Sequence, residues 1–591
     1  MYLPQMGTLN TQRDMLQVFK GYNHNLRISD GEFYDQKNMS CRNYPMMSPR
    51  LPRGEVRQLT NPQGMLAKDA LGIVDGQYLW FNGMKIDTSG MQLSDAEEDC
   101  PKQLISMGAY LIVFPDGKYI NTKDFSDCGS INSSFTTGEN STVTFTMCRL
   151  DGTSYDNVIS SETAPESPSD GDLWLNISTT PHTMNQYSAY SSQWVGVATT
   201  YVKIQYPNIG KAFKQYDGVT ISGCTASGTS DLNTSSVIWG IGDDYLIVVG
   251  VLNQEVTQTT PITVSRRAPK MDFVTTGENR IWGCRYGPDA SGKVVNEIYA
   301  CKLGDFKNWN CFMGTATDSY AVSVGSDGKF TGAATHLGYP LFFKEDCIHR
   351  IFGSYPANYQ VTTIQGRGVE DGSSQSLCIV NEILYYKSRG CVCAFDGSLP
   401  ASVSEALGKV RYRDAFAGGL DGRYYICMRN PAGKKELFCF DVSKGIWSKE
   451  DEVDARFFAT LDGDLCYVDY TSKKLCVIDG PNAATENTVG GPVEWSAETG
   501  DMGLSSPDSK YVSKVTIRAF VPDGGEFSVS VLYDTEEEWR RIATVAHGCK
   551  RSFSLPVPLQ RCDHFRLKLH GKGDCRVYSI TKTIQNGSDY S

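Results

Sequence analysis

Short alternations of apolar and polar residues, separated by tight-turn residues, recur along the chain. Residues 381–397 read NEILYYKSRGCVCAFDG, residues 422–447 read GRYYICMRNPAGKKELFCFDVSKGIW, and residues 463–480 read GDLCYVDYTSKKLCVIDG. Each unit offers a turn residue, a short apolar strand, a polar turn and an alternating strand that ends on Asp or Gly-Asp. An alternation of period two buries one face of a strand. The anchors Ile383, Tyr424 and Leu465 recur at about 40 residues, the length of a four-stranded propeller blade. The same form appears at 71–87, 104–124, 278–309 and 335–353. The pattern predicts an all-β chain built on a β-propeller of about seven blades.

Two regions break the period. Residues 127–265 are rich in Ser and Thr and carry their own strand patterns, TVTFTMC and YLIVVG. A structureless loop of that length is improbable inside a compact domain, so an inserted β domain is expected. Residues 485–591 alternate again, with turns at Asp523-Gly524 and Gly571 to Gly573, and are read as a C-terminal β-sandwich. The expected division is an extended N-terminal arm (1–60), propeller blades (61–126), the insertion (127–265), further blades (266–484) and the sandwich (485–591). In the arm, NYPMMSPRLPRG holds three prolines, each of which disfavours helix in the residue before it. The arm is read first as a strand that closes or covers the propeller. The alternative is a subunit-contact arm working through Arg42, Arg50 and Arg53.

Composition narrows the classes. The chain has 591 residues, a formal net charge of −11 and no Lys/Arg run longer than two, so it carries no basic stripe of the kind that marks a nucleic-acid binder. No window approaches 18 continuous apolar residues, and the opening residues carry no apolar signal core, so neither a membrane span nor a secretory signal is expected. The 19 cysteines include no C-x-x-C. They read as small buried hydrophobes, and Cys391 and Cys393 as neighbours on one face of a strand rather than metal ligands.

The search for chemistry assigns no catalytic, cofactor or metal residues, and the chain is read as a non-enzyme. Gly287 to Lys293 fits G-x-x-x-x-G-K, but Val294 and a strand follow where a phosphate loop needs Ser or Thr and a helix, so a hairpin turn is expected. His564 and His570 share a strand face, and Asp462 and Asp464 bracket a turn glycine; both read as structural. In the insertion, Trp174, Tyr187, Tyr190 and Trp194 are candidate sugar-stacking aromatics, with the insertion's own core as the simpler reading.

The segment GEFYDQKNMS followed by YPMMSPR, together with RAPKMDFVTTGENRIWGCRYG, NEIYACKLGDFKNW, GKFTGAATHLGYPLFFKED, NEILYYKSRG and QRCDHFRLKLHGKGDCRVYSI, resembles structural proteins of tailed phages found in gut-bacterial prophages. The resemblance covers most of the chain outside 127–265. In size and propeller core the chain is similar to the tail nozzle or stabilisation proteins of short-tailed phages. That resemblance implies a homo-oligomeric ring of six in the virion tail, assembled in the host cytoplasm below the portal and adaptor. It further implies contacts with other tail proteins or fibres, and DNA passing the channel during ejection without specific binding. The alternative is a tail-tip or receptor-binding protein contacting host surface glycans.

Overall fold

The computed structural model describes residues 11–586, apart from 87–88, 95–100, 484–487, 490, 505–508, 547 and 559. The first ten residues of the expected arm and the last five of the chain lie outside the described residues. Among the described residues, strands and short 3-10 turns make up the regular structure.

Seven sheets of at least four antiparallel strands form the propeller. Their first strands are Pro62–Ala67 (blade I), Gln103–Met107 (II), Phe273–Gly277 (III), Gly332–His336 (IV), Cys378–Val380 (V), Arg413–Leu420 (VI) and Ala455–Leu461 (VII). First strands of successive blades lie against one another from V through VI, VII, I, II and III to IV. Between IV and V the 3-10 turn Ser374–Ser376 takes that place. The ring is closed.

Seven hydrophobic clusters fill the spaces between neighbouring blades, one to each interface. Period-two alternation therefore serves both faces of a blade. In blade V, Leu384 and Tyr386 pack toward blade IV while Tyr385 packs toward blade VI. In blade VI, Tyr424, Ile426 and Met428 face blade V, and Tyr425 and Cys427 face blade VII. A strand buried on both faces reads as a continuous apolar run, which explains YYICM. Cys391, Cys393 and Phe395 point toward blade IV, and Val392 points the other way.

The first hairpin of each of five blades turns through two residues with positive φ: Glu278-Asn279, Leu337-Gly338, Asn381-Glu382, Asp421-Gly422 and Asp462-Gly463. That is the two-residue hairpin geometry whose twist matches the strands it joins.

Blade VII is completed from the far end of the sequence. Its fourth strand, Arg53–Gln58, pairs with Lys474–Asp479. Residues 11–58 consequently do not form a separate arm. Thr11–Leu16 pairs with Arg576–Asn586, and Glu32–Lys37 pairs with Glu494–Thr499, so N-terminal strands complete both sheets of the C-terminal sandwich before the chain enters the propeller. The sandwich core lies between these two sheets, with Val515, Ile517, Phe527, Val529, Leu567 and Leu569 fully buried.

The insertion runs from Ser133 to Arg266, residues that sit opposite one another in a strand pair. Its three sheets share one core. Blade II keeps its fourth strand, Asp124–Ser130, which lies past the boundary expected at residue 126. The insertion is also seated on blade III. Asn308 accepts from the Gly218 amide at 3.0 Å and donates to the Tyr216 carbonyl at 2.7 Å. A Cβ on Gly218 would lie 2.2 Å from the Asn310 backbone, so only glycine permits this approach.

Deleting 133–266 and joining Asn132 to Arg267 should leave a folded propeller and sandwich, because the cut ends already face each other across a strand pair. Circular dichroism and cooperative unfolding of the deletion variant check this. An insoluble product would show that the insertion is part of the propeller's folding unit. A join from Asp124 to Lys270 would instead strip blade II of its outer strand and should fail.

Candidate functional site

The arginines of the N-terminal segment are committed within the chain. Arg53 begins the strand that closes blade VII, and its side chain is 7% exposed. Its Nη2 donates to Glu450 Oε2 at 2.5 Å and Asp451 Oδ2 at 3.2 Å, and its Nη1 to the Ile478 carbonyl at 3.2 Å. Arg50 reaches the same Asp451 at 3.1 Å and donates through Nε to Asn38 at 2.8 Å. Burial pushes both carboxyls up. At Asp451 the two guanidinium groups more than reverse it, leaving the carboxyl below its ordinary value, while Glu450 stays above its own. Arg42 is half-buried, with its backbone N–H on Ser40 Oγ at 3.3 Å. Of the three arginines read as a contact arm, Arg50 and Arg53 therefore act as a clamp at the seam of blades VI and VII.

The aromatic residues of the insertion come together, apart from its core. In the sheet of Val158–Ser161, Leu173–Asn176, Thr183–Ser188 and Gln193–Gly196, the buried Leu173, Leu175 and Met184 point inward. Trp174, Tyr187 and Trp194 are half-buried on the opposite face. Trp194 sits 5.5 Å from Trp174 and 5.4 Å from Tyr187, centroid to centroid, edge to face in both pairs. Trp174 Nε1 donates to the Ser161 carbonyl at 3.1 Å, which fixes its ring. Tyr190 stands fully exposed in the turn of the hairpin that Tyr187 and Trp194 flank. Such a face offers half-buried aromatic rings beside the side chains of Asn185 and Asn176, a chemistry suited to the C–H faces and hydroxyls of sugars. The strand LWLN carried the signal: inward leucines on either side place the tryptophan outward.

A third feature was not visible in the sequence. A cavity of about 430 Å³ opens where blades VI and VII meet the propeller axis, lined by Phe416, Phe457, Tyr470, Arg429, Lys435 and Arg456. Both first strands bulge there, with Asp414 at φ 48° and Phe457 at φ 52°. Arg456 lies 3.7 Å over the Tyr470 ring, and Phe416 and Phe457 meet edge to face at 5.9 Å. The cations are occupied: Arg429 by Asp414, Arg456 by Asp454 at 3.0 Å, and Lys435 by the Asp414 carbonyl at 2.9 Å. Burial lowers the Lys435 ammonium below its ordinary range. The arrangement holds charges in pairs and leaves little for an anion.

The turn after Pro288 is a hairpin whose Asp289 carboxylate accepts from the amides of Ser291 (2.8 Å) and Lys293 (3.0 Å), so Gly287 to Lys293 is not a phosphate loop. Asp464 is held by Asn482 at 2.6 Å.

No protein-family model matches the sequence, and no curated protein matches it. Among solved structures the chain is similar to an exo-β-1,3-galactanase from Phanerochaete chrysosporium, with 10% identity over 52% of this chain and 94% of that one, at a TM-score of 0.21. It is similar also to a glycoside hydrolase family 43 arabinoxylan arabinofuranohydrolase from Bacillus subtilis, with 10% identity over 53% and 94%, at a TM-score of 0.18. The expectation of a non-enzyme is corrected by these alignments, since the aligned chains are glycoside hydrolases. At such TM-scores the likeness assigns neither an activity nor catalytic residues.

Truncating Arg53 to Ala should destabilise the propeller by about 3–5 kcal/mol, because buried Glu450 would lose its cation and Asp451 would keep only Arg50. Arg50→Ala should cost less, since Arg53 still faces both acids. Denaturant unfolding of the two variants checks the order. Equal, small losses would show that the clamp is not what closes blade VII.

Proposed function

We propose that the chain is a structural protein of a tailed-phage tail, a subunit of a homo-oligomeric ring of six below the portal and adaptor. One structural observation supports this reading beyond the sequence resemblance. The N-terminal segment completes both sheets of the sandwich and then the last blade of the propeller, so the two bodies are joined as one. A ring subunit that transmits load between neighbours needs such a joint, and closed β structure with short protected edges supplies rigidity.

In this reading the DNA path runs between subunits. The axial cavity of about 430 Å³ in each propeller is far too small for a duplex, and its cations are already paired. The net charge of −11 suits a passage that DNA crosses without being held. Cyclic contacts are heterologous, so closure is set by the contact angle. Native mass measurement of purified assemblies, with and without the connector proteins, should give a closed ring. A monomer that stays monomeric with its connector partners would sink the proposal.

A second reading rests on the aromatic face of the insertion. We infer from Trp174, Tyr187 and Trp194 that the insertion contacts host surface glycans, whether the subunit lies within the tail or at its tip. Trp194→Ala should weaken binding to host-cell polysaccharide by about tenfold, in line with the loss of one stacked ring, and leave the fold intact. Glycan binding that is unchanged in Trp194→Ala and Tyr187→Ala, or absent from the parent protein, would defeat it.

A further inference from the structure

Cys391 opens the third strand of blade V, Cys391–Phe395, and Cys393 follows on the same face. Their sulfurs lie 3.5 Å apart. Cys393 is fully buried, whereas Cys391 is half-buried and lines an open groove of about 1020 Å³ between blades IV and V. Such a pair joins an accessible thiol to an enclosed one in hydrogen-bond contact.

The charged groups around the pair are unevenly committed. Arg367, Arg389, Lys409 and Arg411 line the groove, facing Glu345, Asp346 and Glu405. Arg389 is bound to Glu345 at 2.6 Å. On the neighbouring strand, Lys387 is buried against Glu370 at 2.9 Å, and Tyr386 donates its hydroxyl to the Arg367 carbonyl at 2.6 Å. Burial keeps that phenol protonated. The Cys393 thiol, by hydrogen bonding, and then Arg367, by its charge, draw the Cys391 thiol below its ordinary range. The same hydrogen bond, with burial, pushes Cys393 far above its own. Both shifts favour loss of the proton from Cys391 before Cys393.

We propose that Cys391 is a nucleophilic cysteine, with Cys393 as its hydrogen-bond partner, and that the groove above it, with Arg367, Lys409 and Arg411 on its wall, receives small anionic electrophiles. In the reaction a sulfur lone pair of Cys391 forms a bond to the electrophilic carbon. The leaving group departs with the bonding pair, and Cys393 keeps its proton. A thiolate with a neighbouring cation and solvent access is the form in which cysteine reacts.

Alkylation of the full chain by iodoacetate and by iodoacetamide, followed residue by residue by mass spectrometry between about pH 5 and 9, tests this. Cys128 and Cys378, the other half-buried cysteines among the described residues, serve as internal standards. At pH 7 Cys391 should react about tenfold faster than either, with a rate inflection below the ordinary thiol value of about 8.5. Its preference for iodoacetate over iodoacetamide should exceed that of a free cysteine derivative. Arg367→Gln should reduce that preference. Cys393→Ala should move the inflection upward, and Cys393→Ser, which keeps a donor, should move it less. Should the Cys393 variants fail to fold, the rates and reagent preference of the parent chain still decide. A Cys391 rate no greater than those of Cys128 and Cys378, or an ordinary inflection, would overturn the proposal. A reagent preference equal to that of the free derivative would overturn its anionic part.

Discussion

The structure depends on how its ring is closed. A propeller whose last blade lacked a strand would present an unpaired edge, open to pairing with other chains. Here the missing strand is Arg53–Gln58, brought from the N-terminal side, and it carries an arginine into the seam between blades VI and VII. Burying a guanidinium is costly unless its partners are complete. Glu450, Asp451 and the Ile478 carbonyl supply them at both terminal nitrogens, Nε is left without one, and Arg50 adds a second cation to the same acid. This geometry exists only when the strand is in register, so the ion cluster rewards correct closure and penalises a slipped one. The seven inter-blade cores then follow, since each blade finds an apolar neighbour on both sides only in a closed ring.

That double burial decides what could be read from the sequence. Blades were legible because their second and third strands are apolar on both faces and their hairpins turn on residues that tolerate positive φ, such as Asp421-Gly422 and Asp462-Gly463. Outer strands were harder. Asp124–Ser130 reads DFSDCGS and lies half-exposed along its length, so it shows no alternation and the expected boundary at residue 126 cut through it. In the N-terminal segment a strand closing the propeller was legible, as Arg53–Gln58 shows, but the pairing partners were not. Glu32–Lys37 pairs with Glu494–Thr499 and Arg53–Gln58 with Lys474–Asp479, and nothing local in a chain encodes a partner more than 400 residues away.

The same contrast separates the candidate sites. For Trp174, alternation alone settles the direction, because Leu173 and Leu175 are inward. It does not settle that Trp194 and Tyr187 meet it, since that requires the register of two hairpin strands. Cys391 and Cys393 were legible as neighbours on one face, but their unequal exposure was not. Cys391 takes the first position of its strand, beside a groove formed by segments near residues 345, 367 and 409. For Arg53 the residue type was informative and the role was not, because Glu450 and Asp451 lie in the link between two blades that the period leaves blank.

The joints between the three bodies differ in chemistry, and the difference bears on how each can move. The insertion meets blade III through polar contacts, Asn308 with the backbone at Gly218 and Tyr216, beside the buried Arg266–Asp217 pair at 2.5 Å. The sandwich meets the propeller through its core. Tyr22 extends from a sandwich strand into the cluster between blades V and VI, 5.6 Å from Phe438, and Gly21 passes so close to Trp447 that no side chain would fit. A polar seam can be replaced by water at modest net cost, because each lost hydrogen bond is regained with solvent. An apolar plug cannot be withdrawn without exposing the surface it covers. The insertion is therefore the part of this molecule that can separate or reorient, whereas sandwich and propeller must move together. A binding face on the insertion and a load path through the other two modules are compatible within one chain for that reason.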